Sequence, residues 1–218
     1  MTRRGLGSAA MAVALLGAAA QTPASGEAAA AEAGCRSVPQ PPPRHGRESR
    51  PRLRLRPGSR ARIVLETNCG TIAIRLATRL APKTTSSVAG LVRRGFYDRL
   101  TFHRIALGFV IQGGDPRGDG RGGPGYSVVE RPPRHLAYTR GIVGMAKVAD
   151  EPDGMSGSQF FIVTARDAML PPQYALLGRV RAGMDTVDRI EAVGVRHRAA
   201  DGPPRRPVII SRATLQLG

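Results

Sequence analysis

The chain contains no tryptophan, and its only aromatics are five phenylalanines and four tyrosines. All of them fall between Phe96 and Tyr174, which marks one aromatic-bearing core or surface rather than a row of base-stacking platforms. Cysteine is confined to Cys35 and Cys69, and neither has a second ligand at metal spacing, which excludes a zinc finger. His45, His103, His135 and His197 are likewise too scattered to ligate a metal. No cofactor is expected. Ser156-Gly157-Ser158 lacks the G-x-S-x-G frame of a hydrolase nucleophile. Asp150, Glu151 and Asp153, set around Pro152, fit a turn better than a calcium loop. The glycine cluster at 116–125 is followed by neither Lys-Ser/Thr nor a helix pattern, so a nucleotide-phosphate cradle is excluded too.

What is abundant is arginine, which supplies all but Lys83 and Lys147 of the 33 basic residues and leaves a net charge of +17. Ten arginines against three glutamates lie in residues 1–60 alone. Such a balance favours weak association with an anionic wall or membrane surface. No nucleic-acid-binding motif accompanies it, so no specific nucleic acid partner is expected. Arg3 and Arg4, the apolar stretch Leu6 to Ala20 and the small residues after it read as an export signal over 1–24, too short and alanine-rich to span a membrane. The protein is therefore expected to be exported: secreted, periplasmic or attached to the envelope. Ala33-Gly34-Cys35 is similar to the end of a lipoprotein processing site. Glu32, where an aliphatic residue is wanted, and the distance of Cys35 from the apolar stretch argue against lipid anchoring. In an oxidising compartment Cys35 and Cys69 would form a disulfide, the alternative being two unpaired thiols.

Residues 25–60 read as an extended arm or linker, because six prolines and eight arginines between 36 and 60 leave no apolar face to bury. A single domain is expected over 61–218. Ile63 and Leu65, then Ile72, Ile74 and Leu76 after the turn Asn68-Cys69-Gly70, predict a hairpin. Pro82 opens a helix with Val88, Leu91 and Val92 as its buried stripe and Gly95 as its stop. A second helix runs from Gly183 to Val193. Further strands are expected at Gly141 to Lys147, Gln159 to Thr164, Ala175 to Val180 and Val208 to Leu217. Many short strands with two helices suggest a closed, mostly antiparallel barrel.

The organising stretch is LTFHRIALGFVIQGGD, Leu100 to Asp115. Strict alternation would put Leu100, Phe102 and Arg104 on one face of a strand, with Thr101, His103 and Ile105 on the other. A second strand, starting near Phe109, would fold back beside Arg104. Together with MSGSQFFIVTA at Met155 to Ala165 and YALLGRV at Tyr174 to Val180, this stretch resembles the cyclophilin family of peptidyl-prolyl isomerases over roughly 61–218.

The resemblance implies a mainly β fold, a closed antiparallel eight-stranded barrel capped by two α-helices. It implies a monomer that binds proline-containing peptides and unfolded protein segments and speeds rotation about X-Pro bonds. Arg104 and Gln112 match the catalytic pair. Phe109, Val110, Phe161 and Leu170 match the proline pocket, with Val110 where the family often has Met. Gln159, Ala146 and Lys147 would hold the peptide main chain, and Phe102 and His103 would present the F-H-R strand. Tyr174 stands where many members carry His, Met169 where a Trp favours cyclosporin binding, and Lys147 where Asn is usual, a charge that would favour acidic peptides. Arg121, in the loop bordering a side pocket, would alter what that pocket accepts. The alternative to an enzyme is a proline-peptide-binding chaperone module with little catalytic activity.

Overall fold

The structure is a computed structural model that describes residues 34–218, and the expected export signal lies outside the described residues. Alternation of β-branched and polar residues dictates its first hairpin. β1 (Ala61–Thr67) and β2 (Gly70–Leu76) pair antiparallel, with Ile63 opposite Ile74 and Leu65 opposite Ile72, all four buried on one face. α1 (Pro82–Arg93) starts with Pro82 at its first turn, where the missing N–H costs no hydrogen bond. The next two amides, Lys83 and Thr84, donate to the Glu130 carboxylate at 3.0 and 2.7 Å, so a side chain far along the sequence caps the helix.

The remaining strands are β3 (Thr101–Ala106), β4 (Val110–Asp115), β5 (Val128–Val129), β6 (Ile142–Met145), β7 (Met155–Ser156), β8 (Phe160–Val163) and β9 (Leu176–Ala182). α2 (Met184–Ala192), β10 (Asp201–Gly202) and β11 (Ile210–Leu217) complete the order. Nine strands form one antiparallel sheet in the order β10-β3-β4-β8-β6-β9-β2-β1-β11, and β5 pairs with β7 apart from it. The helices lie against the sheet: Val88, Leu91 and Val92 of α1 and Val187 and Ile190 of α2 join its inward residues in one core.

The expected closed eight-stranded barrel is corrected to a curled nine-stranded sheet. Its edge strands β10 and β11 are parts of one run that pairs with β3 twice. Asp201 and Gly202 meet Ala106 and Ile105, and further on Thr101 bridges Ile209, with Phe102 N–H on Val208 O at 2.9 Å. Between these pairings lie Pro203, Pro204 and Pro207, which carry no N–H to continue a ladder. The second contact is therefore confined to residues 99–102 against 208–210 and does not continue into a seam.

Residues 34–60 contain neither helix nor strand, yet they lie along the domain, and Ala33–Gly218 forms one compact unit. A disulfide joins Cys35 to Cys69 in the β1–β2 turn, with the Cα atoms 4.0 Å apart. Pro51 lies over Gly90 of α1 so closely that a Cβ there would come within 2.2 Å of it, and Leu55 N–H donates to Ser86 Oγ at 2.9 Å. This covering buries α1 from Thr84 to Val92, well beyond the stripe that periodicity alone predicts.

Candidate active site

A double irregularity in the β3–β4 pairing aims the key arginine. Thr101 faces Asp115 and Phe102 faces Gly113, but the next aligned pair is Arg104 with Gln112, so His103 has no partner of its own and bulges out. A bulge reverses the alternation beyond it. Phe102 and Ile105, three apart, both become fully buried in the main core, while Arg104 turns to the opposite face. The expected sharing of one face by Phe102 and Arg104 is thus corrected.

From Arg104 a single row crosses four strands. Arg104 pairs with Gln112, Gln112 with Phe161, and Phe161 with Gly144. Directly opposed residues point to the same side, about 4.8 Å apart per strand, so the guanidinium, the amide and the ring stand side by side. Gly144 is required here, because a Cβ would come within 2.4 Å of the Phe161 ring laid across it.

The polar half of the row is wired head to tail. Arg104 Nη1 donates to Gln112 Oε1 at 3.0 Å, Gln112 Nε2 donates to Gln159 Oε1 at 2.9 Å, and Gln159 Nε2 donates to the carbonyls of Gly120 and Gly122 at 3.0 and 2.8 Å. On its other edge the guanidinium is forked by Asp201, with Nε to Oδ1 at 2.7 Å and Nη2 to Oδ2 at 2.5 Å. A carboxylate matches the planar donor pair of arginine and fixes its orientation.

The apolar half is one cluster apart from the main core. Val110 and Phe161 are buried in it, and Phe109, Ala146, Leu170 and Tyr174 pack against it half-exposed. Tyr174 stands edge-on to Phe161 with centroids 5.5 Å apart. Tyr138, fully buried behind both rings, accepts Tyr174 N–H and donates to Tyr174 O, which fixes that backbone. Burial pushes the Tyr138 phenol up to about 12, against the opposing effect of its hydrogen bond to Tyr174.

Other expected residues are placed differently. The Phe102 ring is wholly buried, edge-on to Phe160, and supports the strand from behind. Both ring nitrogens of His103 are buried without a hydrogen-bond partner; burial, aided by Arg104 and opposed by Asp115 and Asp119, holds its pKa below the usual value. Met169 is 83 % exposed, on a backbone with φ of 52°, and so stands out from the cluster. Lys147 Nζ turns back onto the carbonyls of Val148, Ala149 and Glu151, which draws its charge into its own loop. Among the described residues no cluster of three His, Cys, Asp or Glu could hold a metal.

Asp201, Tyr138 and Gly144 were not anticipated. The signal for Asp201 was its isolation as the single acid after Glu191 in an arginine-rich tail.

A curled antiparallel sheet presents a fixed guanidinium beside a half-exposed apolar cluster, the combination a prolyl isomerase needs. Residues 62–215 match the family model described as cyclophilin type peptidyl-prolyl cis-trans isomerase/CLD. The chain is 42% identical over 135 residues to peptidyl-prolyl cis-trans isomerase-like 1 of Gibberella zeae, covering 60% of this chain and 82% of that one. It is 36% identical to the probable peptidyl-prolyl cis-trans isomerase B of Mycobacterium tuberculosis, covering 70% of this chain and 54% of that longer protein. A crystal structure of a Cryptosporidium parvum cyclophilin in the presence of the dipeptide Ala-Pro superposes with a TM-score of 0.65, at 29% identity, covering 72% of this chain and 99% of that one. The chain belongs to the cyclophilin-type peptidyl-prolyl cis-trans isomerase family.

Proposed function

We propose that Arg104 is the donor that speeds prolyl rotation in this protein, with the proline ring held between Phe109, Phe161 and Leu170. The uncatalysed barrier, about 18–20 kcal/mol, reflects amide conjugation. As the bond twists, the proline nitrogen regains a localised lone pair, and a donor aimed there stabilises the twisted state more than the planar one. A guanidinium has five N–H groups. Three are engaged, two by Asp201 and one by Gln112, which leaves one on each terminal nitrogen for a ligand. No covalent step and no cofactor is needed.

The observation that carries this reading is the row Arg104, Gln112, Phe161, in which a fixed cation and an apolar wall share one face. A charged hydrogen bond away from bulk water is worth about 1.5–3 kcal/mol. Arg104→Ala should therefore lower kcat/KM by roughly tenfold to a few hundredfold in a coupled assay on a proline tetrapeptide. Peptide binding retained with no rate above background in the unaltered protein would favour the chaperone reading instead.

The setting is the folding of exported chains, with 1–24 as the export signal, 25–60 as the arm and 61–218 as the isomerase domain. The Cys35–Cys69 disulfide supports an oxidising compartment and occupies the thiol that lipid anchoring would need. In this reading the protein is a monomer whose arginine-rich arm adds weak attraction to anionic wall or membrane surfaces. Fractionation with mass analysis of the mature chain tests it: cytosolic protein retaining residue 1 would refute it.

A further inference from the structure

Beside the apolar cluster lies a concavity of about 720 Å³. Gln112, Gln159 and Ala146 stand between it and the slot, and the glycine loop 120–125 forms one wall. Its rim is completed from outside the sheet, by Gly46 and Arg47 of the arm. The arm is fastened ahead of that loop and within it: Arg44 N–H donates to Pro116 O and Glu48 N–H to Pro124 O, each at 2.8 Å. Arg47 itself lies against Gly125, where an added Cβ would come within 2.9 Å of its side chain. Gly122 turns the loop inward over the Asp115 carboxylate, which holds the amides of Arg117 and Gly120 at 2.8 and 2.6 Å.

The charges around this concavity are Arg47, Arg117, Arg121 and Lys147 against Glu151. Arg117 is closed onto Asp119 at 2.6 Å, Lys147 Nζ is turned away onto the carbonyls of its own loop with its charge unpaired, and Glu151 accepts Val148 N–H at 2.9 Å. Arg47 and Arg121 form no ion pair among the described residues. Two uncompensated guanidiniums thus face a cleft whose inner carbonyls, those of Gly120 and Gly122, already accept from Gln159.

We propose that this cleft takes an acidic side chain, Asp or Glu, of the peptide whose proline occupies the slot, and that Arg47 and Arg121 select for it. The arm is then a specificity element of the isomerase and not only a tether. The inference rests on the proline-slot reading above, since Gln112 and Gln159, which are wired to Arg104, also line this cleft. Charge complementarity at a partly exposed site steers and selects more than it tightens binding.

Matched single-proline peptides carrying Glu, Gln or Lys at each of the three positions before and after the proline test it. We expect Glu to exceed Gln in kcat/KM by about three- to tenfold at one or two neighbouring positions on one side, with Lys below both. The ratio should shrink as salt rises from about 50 to about 500 mM. Arg47→Ala and Arg121→Ala should each reduce the Glu/Gln ratio, and the double variant should bring it near one. Arg212→Ala, on exposed β11, should leave it alone. Equal rates for Glu and Gln, a ratio surviving the double variant, or an equal fall in Arg212→Ala would overturn the proposal. Dissociation constants of the same peptides by fluorescence anisotropy carry the same comparison. Absence of turnover with a surviving binding ratio would therefore sink the isomerase reading and leave the acidic pocket standing.

Discussion

Asp201→Ala is the sharpest perturbation of the site, because it removes a residue that touches the guanidinium and lies on the far side from the slot. The side chains of Arg104 and Asp201 are 34 and 51% exposed, so solvent screens the pair and its loss should cost stability only about 0.2–1 kcal/mol. The rate should suffer more. Two of the three bonds fixing the guanidinium disappear, leaving Gln112 alone to hold Nη1. If the freed head spreads over about three to ten orientations of which one serves the twisted amide, the entropic loss is about 0.7–1.4 kcal/mol, a three- to tenfold fall in kcat. KM should change little, since the interaction develops only as the bond twists. Steady-state kinetics on one peptide, with thermal unfolding alongside, separates the two effects. The decisive measurement is the double-variant cycle: in an Arg104→Ala background, Asp201→Ala should cost nothing further. Additive losses would refute positioning through Arg104. A faster Asp201→Ala enzyme would show that the carboxylate competes with the prolyl nitrogen for the guanidinium.

Gly144→Ala should push the Phe161 ring out of its seat and cost roughly 1–3 kcal/mol of stability together with a loss of kcat/KM, read by thermal unfolding and the peptide assay. An active, equally stable variant would mean that the ring is not held by Gly144. Cys35→Ser, which opens the covalent loop to Cys69, should lower stability by about 3–4 kcal/mol in the chain-entropy account, measured as a lower urea midpoint with a steeper slope, because the freed unfolded chain exposes more surface. Below about pH 6.5 the unfolded chain takes up a proton on His103 that the buried folded-state imidazole resists, so stability falls as pH drops through that range. His103→Phe should flatten that limb, and an unchanged acid limb would assign it to other groups. The phenol of Tyr138 acts at the other end: it stays protonated in the folded state up to about 12 while the unfolded chain ionises near 10, so stability declines from about pH 10 upward, and less so in Tyr138→Phe.

Much of the fold is written in local pattern. Pro82 and Gly95 bound α1 because one lacks a helical donor and the other takes φ of 68° at the stop. The β1–β2 hairpin follows from alternation across a turn at Asn68-Cys69, β6 and β8 are apolar runs of strand length, and β9 alternates apolar residues with exposed Arg179 and Arg181. The closure of the sheet was not legible in the same way. Whether β10 and β11 make a continuous seam depends on how the prolines at 203, 204 and 207 route the backbone between two pairings with β3, a tertiary matter that residue pattern does not encode. The arm illustrates a second limit. Its proline and arginine content argued for an extended path, and it is extended, but composition carries no signal for what it lies against. Single contacts decide that, such as Pro51 on Gly90 and Leu55 on Ser86.

The site shows why a residue can be identified correctly by type and wrongly by face. Alternation through Thr101-Phe102-His103-Arg104 assumes an unbroken ladder, and under that assumption Arg104 would point with Phe102 into the core, where an unpaired guanidinium is prohibitively costly to bury. The chain resolves the conflict with two compensating irregularities, His103 bulging on β3 and Gly114, at φ of 86°, on β4. The bulge puts Phe102 inside, leaves the imidazole of His103 buried and unpartnered, and releases Arg104 to the face where Gln112 and Phe161 already stand. The same offset brings Arg104 within reach of Asp201, since the β10 residue pairs with Ala106 on the strand beyond. The unpartnered imidazole and the well-held guanidinium are therefore two results of one backbone irregularity. Filling the bulge, by deleting His103, should restore alternation and bury Arg104's position. Loss of activity together with a severe loss of stability is the expected result; a stable, active deletion variant would mean that β4 alone can set the register.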